Sequence, residues 1–247
     1  MMGNQKSIEV SPGVELDIEE FTAAEKAIFD HDYASVVAMY TKFTADKEGK
    51  HVIADAFEDA KDAYFLVAQA TKKAILPAAG IFQGQRALTG FGMRMIRPDD
   101  LVSSSFSTRT FDYAVSSLTK DAWYGWIHNA APGAAFNATP LYSRKEMGIG
   151  ILGVLDVSGA PLIEEIQFEL AGKMFPVYNM VAQMRGADLP FFKFPVVEYI
   201  KPATQYRIAA KFAATAGNLA LIPMGITFVT ADFMRQQAPT IPTTSAP

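Results

Sequence analysis

The sequence predicts an α+β fold: a helical N-terminal region followed by a mostly antiparallel β-sandwich. Three observations predict it. Between about residues 16 and 76, apolar residues recur at helical spacing. Beyond Pro77 the texture changes to short apolar or alternating runs, closed by Gly/Pro turns at ~10–15-residue spacing, which suits a sandwich better than βαβ units. Apolar residues make up 50% of the 247-residue chain, enough for a sizeable core.

Each element follows from its own residues. Residues 1–15 read as an extended arm with a turn at Pro12-Gly13. Asp17 is placed to cap a helix that carries Glu19 and Glu20 in its first turn, with Ile18, Phe21, Ala24, Ile28 and Phe29 at helical spacing. A second helical stretch covers Tyr33 to Thr44. A third and longer one runs from about His51 to Leu76, striped by Val52, Ile53, Ala56, Phe57, Ala60, Tyr64, Val67 and Ala68, with Pro77 as its stop. Residues 78–87 read as a connection. Strand texture then appears at Phe106–Asp112, Trp123–Ile127, Ile149–Val157, Ile166–Leu170, Phe191–Ile200, Tyr206–Phe212 and Leu219–Thr230. In the last of these, Pro223 and Gly225 suggest a bulge. The organisation is therefore an arm (1–15), a helical region with its connection (16–87), a sandwich (88–235) and a Pro/Thr-rich tail (236–247).

Charged residues are only 19% of the chain, and 18 are Phe, so polar surface is thin. Either the core is large or partner subunits cover part of the surface. The net charge of −4 supplies no basic field for nucleic acid. Charge is uneven: the first 62 residues hold six lysines against fourteen acids, a balance of −8, while the remainder holds sixteen bases against twelve acids, +4. A solvated acidic helix face explains the former. The absence of Cys removes disulfides and thiolate chemistry. The first residues lack the apolar run of a signal peptide, and no stretch is apolar enough for a transmembrane helix.

Several motifs touch on chemistry without completing it. Gly148-Ile149-Gly150-Ile151-Leu152-Gly153 matches G-x-G-x-x-G, but strand-like residues follow where a helix N-terminus should receive a phosphate. The simpler reading is a strand whose glycines admit a close neighbour. Glu48-Gly49-Lys50-His51 fits E-x-x-H, yet a carboxylate-bridged metal pair needs a second copy, and none exists. Asp55, Asp59 and Asp62 share one predicted helix face, which reads as its wet side. Asp30-His31-Asp32 suits a polar helix end. His128 has no nucleophile elbow to serve, since Ser158 lacks the leading glycine. Asn137-Ala138-Thr139 is formally a glycosylation sequon. Arg94, Arg97 and Arg109 are too sparse for a nucleic-acid groove. No catalytic, metal or cofactor-binding residues are assigned, and no cofactor is expected. The aromatics Trp123, Trp126, Phe191, Phe192 and Phe194 are the candidate interface, able to anchor a subunit contact or stack on sugar rings, with core packing as the alternative.

The C-terminal part resembles the jelly-roll capsid proteins of icosahedral viruses. The residues that carry the resemblance are Pro161–Lys173, a strand closed by a Gly turn, then Pro195–Pro202, and the final pair Tyr206–Phe212 and Leu219–Phe228. The resemblance covers about 40% of the chain and implies a jelly-roll-like sandwich. It departs at the N-terminus, where the family's basic arm is replaced by an acidic head. It implies a non-enzymatic, self-assembling structural subunit of a virion, assembled in the host cytoplasm. Its partners would be copies of itself and other structural proteins of the particle, with no direct nucleic-acid contact. The alternative is a sandwich module that binds carbohydrate or another ligand through exposed aromatics.

Overall fold

In the computed structural model, the described residues are 6–11, 14–44, 50–78, 91–101, 112–115, 118–125, 141–157, 162–181, 191–215 and 217–230. The chain opens as a hairpin, β1 (Lys6–Ser11) antiparallel to β2 (Val14–Ile18). The extended arm is thus paired with itself about the Pro12-Gly13 position. Leu16 and Ile18 of β2 are buried, and the exposed Asp17 lies within the strand, so it caps no helix.

Helix α1 (Ala23–Phe43) starts instead at Thr22. Its hydroxyl accepts from Glu25 N, and the Glu25 carboxylate accepts from Thr22 N at 2.7 Å, a reciprocal capping box. Burial pushes the Glu25 carboxyl up, but Lys72 and the Thr22 hydrogen bonds outweigh it and hold the group below its ordinary value. Lys72 is itself buried, 2.7 Å from Glu25 and 3.4 Å from Glu19, which ties α1 to the third helix. The two helical stretches expected over residues 17–44 are one helix from Ala23, because Asp30, His31 and Asp32 lie on its solvent side and break nothing.

The single helix expected over 51–76 is divided at Ala60 into α2 (Lys50–Asp59) and α3 (Lys61–Ala78). The buried Tyr33 hydroxyl donates to the Phe57 carbonyl, and Ala60 N–H is shared between the Ala56 and Phe57 carbonyls. A side chain inserted into the ladder bends the helix at that turn.

The strands form two antiparallel sheets. The inner sheet runs β11 (Phe191–Ile200), β7 (Met147–Asp156), β13 (Gly217–Thr230), β3 (Phe91–Met95), with β4 (Asp112–Val115) on the first part of β13. The outer sheet runs β10 (Tyr178–Asn179), β8 (Ile163–Leu170), β12 (Gln205–Phe212), β5 (Trp123–Gly125), joined by β6 (Leu141–Tyr142) and β9 (Lys173–Met174). The pairings are nested: β3 with β13, β5 with β12, β7 with β11, β8 with β10. First meets last and the two innermost meet each other, as when one long hairpin is rolled up. This is jelly-roll-like connectivity.

Two cores result. Ile149, Ile151, Ile166, Phe168, Phe192, Phe194 and Ile208 fill the space between the sheets. Phe29, Tyr33, Tyr40, Phe57 and Tyr64 of the helices pack on Leu152, Leu155, Met224, Ile226 and Phe228 of the inner sheet. The inner sheet is therefore covered on both faces, and β7 is buried along its whole length. That explains why it reads as a continuous apolar run while β8, with one face in water, alternates. The expected bulge is present: the β13–β7 register shifts between Met224 and Gly225.

Of the remaining expectations, the strand texture at Phe106–Phe111, the connection 79–87 and the tail 236–247 lie outside the described residues.

Candidate functional site

The candidate interface divides on inspection. Phe191, Phe192 and Phe194 are buried inside the chain itself, so they present nothing to a partner. Phe194 meets Phe168 edge-on at 5.2 Å between ring centroids and Tyr178 at 4.9 Å. The reason is their strand: β11 belongs to the sheet with both faces covered. Trp123 is half-buried on β5, where it pairs with Lys211. Trp126 lies outside the described residues.

The glycine motif forms part of β7, with no helix behind it. A methyl at Gly148 would stand 2.7 Å from Thr71 Oγ1, at Gly150 2.8 Å from the Tyr64 ring, and at Gly153 2.2 Å from the Phe192 carbonyl. Gly148 and Gly150 let α3 approach the sheet, and Gly153 leaves room for the neighbouring strand β11, as the structural reading of the motif expects. Thr71 meets the Tyr199 hydroxyl at 2.7 Å across that contact.

The other candidates are surface groups or outside the description. Asp55, Asp59 and Asp62 are exposed, and the break at Ala60 places Asp62 on a different helix. Asp59 pairs with Lys193 at 2.9 Å. His31 is exposed and contacts Asp32 at 3.1 Å. Among the described residues no three His, Asp or Glu side chains gather as metal ligands. Glu48, Arg109, His128, Asn137 and Ser158 lie outside the described residues. Arg94 turns inward rather than forming a basic surface: it makes a two-pronged contact with Asp100 at 2.6 and 2.7 Å. Asp100 also accepts from Thr227 Oγ1 and Arg97 N.

Sequence reasoning passed over two features. Tyr178 donates its hydroxyl to Glu198, which is 1% exposed. Burial pushes the Glu198 carboxyl up to about 7, with the Tyr178 hydrogen bond opposing. Alternation in Val197-Glu198-Tyr199 was the available signal, since every neighbour of Glu198 in the strand is apolar.

The second feature is the outer surface. On the free face of the outer sheet, register sets Met174, Glu169 and Arg207 in one row, and Asn179, Glu165, Lys211 and Trp123 in another. Arg207 pairs with Glu169 at 3.4 Å and Lys211 with Glu165 at 3.4 Å, a cross-strand ladder of ion pairs. Tyr142, 70% exposed, stands beside Gln205 on the same face. On the opposite side of the molecule, a groove of about 620 Å³ lies between α1 and α2. Ala34, Val37, Ala38 and Ala54 line it, with Asp30, Lys42, Glu58 and Lys61 at its rim. Exposed Ile28 and Met39 lie on α1 outside it.

Comparison with known protein families, curated proteins and solved structures finds no match. Connectivity and surface therefore carry the functional argument.

Proposed function

We propose that this chain is a structural subunit that assembles with copies of itself, as the shell protein of a virion, alongside other structural proteins of the particle. The observation that carries the reading is the nested pairing of β3 with β13, β5 with β12, β7 with β11 and β8 with β10. That jelly-roll plan recurs in viral shells, and also in lectins and cupins. The shell reading is favoured by how the space between the sheets is used. Phe168, Phe192, Phe194, Tyr178 and Ile208 pack there as core, so the described strands work as a wall rather than as the lining of a ligand chamber. A low charge content of 19%, with net charge −4, suits apolar contacts between subunits and no direct grip on a genome. Light scattering with negative-stain imaging of the native protein tests this. A megadalton object of regular size supports it; a 26.9 kDa monomer at high concentration overturns it.

A second reading has its own observation. Trp123 and Tyr142 share the free face of the outer sheet, flanked by ion pairs, which is a surface of the kind that stacks on sugar rings. It requires a saturable change in tryptophan fluorescence on titration with glycans, lost in Trp123→Ala.

A further inference from the structure

We propose that the hydrogen bond between Tyr178 and Glu198 is a proton-operated latch between the two sheets. While Glu198 keeps its proton, strands β10 and β11 stay closed on each other. When the proton leaves, β10 lifts and water enters the sandwich at that edge. The proposal goes beyond the assembly reading and does not depend on it.

The position of the pair carries the argument. β10 ends the outer sheet and β11 ends the inner one, so Tyr178 and Glu198 join two edge strands across the interior. β10 is two residues long, and its register with β8 covers only Tyr178 with Ile166 and Asn179 with Glu165. The register of β11 with β7 is interrupted between Lys193 and Glu198, immediately before the latch. Both sides of the contact are thus weakly held backbone, the kind that opens locally. The Tyr178 ring closes the edge by packing 4.9 Å from the Phe194 ring and 6.2 Å from that of Phe192, centroid to centroid.

The surroundings of Glu198 suit an acid and not its anion. The residue is 1% exposed, and among the described residues its one polar partner is the Tyr178 phenol. On β7, Ile151 stands opposite it, and Asp156 lies five residues further, roughly 16 Å along the strand. From β8, Ile166 and Phe168 face the interior, while Glu164 and Glu165 turn to Lys211. Lys173 of β9 stands opposite Leu170, four residues along β8 from the level of Tyr178. Tyr206 of β12 and Tyr124 of β5 add phenols to the same interior. On β11 itself, Lys193 reaches Asp59 of α2, and Lys201 lines a cleft beside Lys73 of α3, both on the helical side. A buried carboxylate with one neutral donor and no cation is costly, and water at the β10 edge relieves it.

The sign follows from where the proton sits. The closed form holds it up to about pH 7, whereas an opened, hydrated Glu198 releases it at the ordinary 4.5. Opening therefore grows about tenfold per pH unit between those values and levels off above the upper one.

Hydrogen exchange of the full chain, corrected for the intrinsic pH dependence of amide exchange, reads this segment by segment. From pH 5 to pH 7.5, protection of residues 174–181 and 194–200 is expected to fall about a hundredfold, while α3 and β13 keep theirs. In Glu198→Gln the same segments are expected to stay protected at both pH values. Tyr178→Phe removes the donor that favours the anion, so opening is expected to level off at a higher pH than in the parent. Unchanged protection of the two segments in the parent overturns the latch. So does a loss spread evenly over the whole chain, or one that persists in Glu198→Gln. A levelling-off in Tyr178→Phe at the parent's pH would remove Tyr178 from the device.

Discussion

Glu198 illustrates how one buried group changes the behaviour of the chain. Its carboxyl titrates near 7 in the folded protein, against an ordinary glutamate value of 4.5. Between those two pH values the unfolded chain has lost the proton that the folded chain keeps. Stability from this group is therefore complete below about 4.5 and is lost as pH rises through about 7. The full swing is about 3 kcal/mol at ~1.4 kcal/mol per pH unit. Glu198→Gln removes the ionisation while keeping the shape. Urea unfolding is expected to show the variant gaining about 3 kcal/mol over the parent at pH 8 and little at pH 4. An equal difference at both pH values would show that packing, not ionisation, is responsible. Tyr40 makes a second residue-scale case. Its hydroxyl donates to the Gly225 carbonyl at 2.7 Å and accepts from Gly225 N and Ile96 N. Tyr40→Phe leaves these bulge groups unpaired and is expected to cost about 1–3 kcal/mol in the same measurement. Neither partnership was legible in the sequence, since 20 residues separate Tyr178 from Glu198 and 185 separate Tyr40 from Gly225.

Elements show where local pattern suffices and where it fails. Strand β8 was plain from alternation alone, because one of its faces meets water and the other the core. The start of α1 was misplaced by five residues, from Asp17 to Thr22. Both residues precede an acid that suits a capping role, and only the pairing of β2 with β1 removes Asp17 from contention. The kink at Ala60 was illegible, since it depends on Tyr33 reaching the Phe57 carbonyl from another helix. Strand β7 supports a prediction of its own. A methyl at Gly153 meets a backbone carbonyl, which moves only if β11 moves. Gly153→Ala is expected to destabilise the protein by at least about 1–3 kcal/mol. A wild-type unfolding midpoint would mean that β11 yields freely at this point. The Arg94–Asp100 pair joins β3 to the short helix α4 (Pro98–Leu101) and to Thr227 of β13. Arg94→Ala strands a buried carboxylate, at an expected cost of about 3–5 kcal/mol by denaturant titration.

At the scale of the whole molecule, three layers stack: helices, a sheet buried on both faces, and a sheet with one face in water. The arrangement suits a composition that is 50% apolar and only 19% charged, because the middle layer needs almost no polar surface. Thin polar surface alone therefore does not establish that partners cover this chain. The self-assembly reading rests on connectivity and on the filled space between the sheets. The native mass decides it, and a regular particle whose assembly persists in high salt is the expected outcome, since apolar contacts are not screened.

By itself the sequence determined the fold class, the helical and strand halves, the strands β5, β7, β8, β11, β12 and β13, and the bulge near Gly225. These depend on periodicity and turn chemistry, which act over a few residues. It also determined that the glycine motif is structural, since a phosphate site requires a following helix and none was written there. Only the tertiary structure decided that Phe191, Phe192 and Phe194 belong to the core, that Arg94 is paired inside, and that the N-terminal arm is a hairpin. Burial is a property of layers. A strand cannot reveal from its own residues whether its second face meets water or another element, and here the helical layer covers the face of β11 that carries Phe191 while the outer sheet covers the face that carries Phe192 and Phe194.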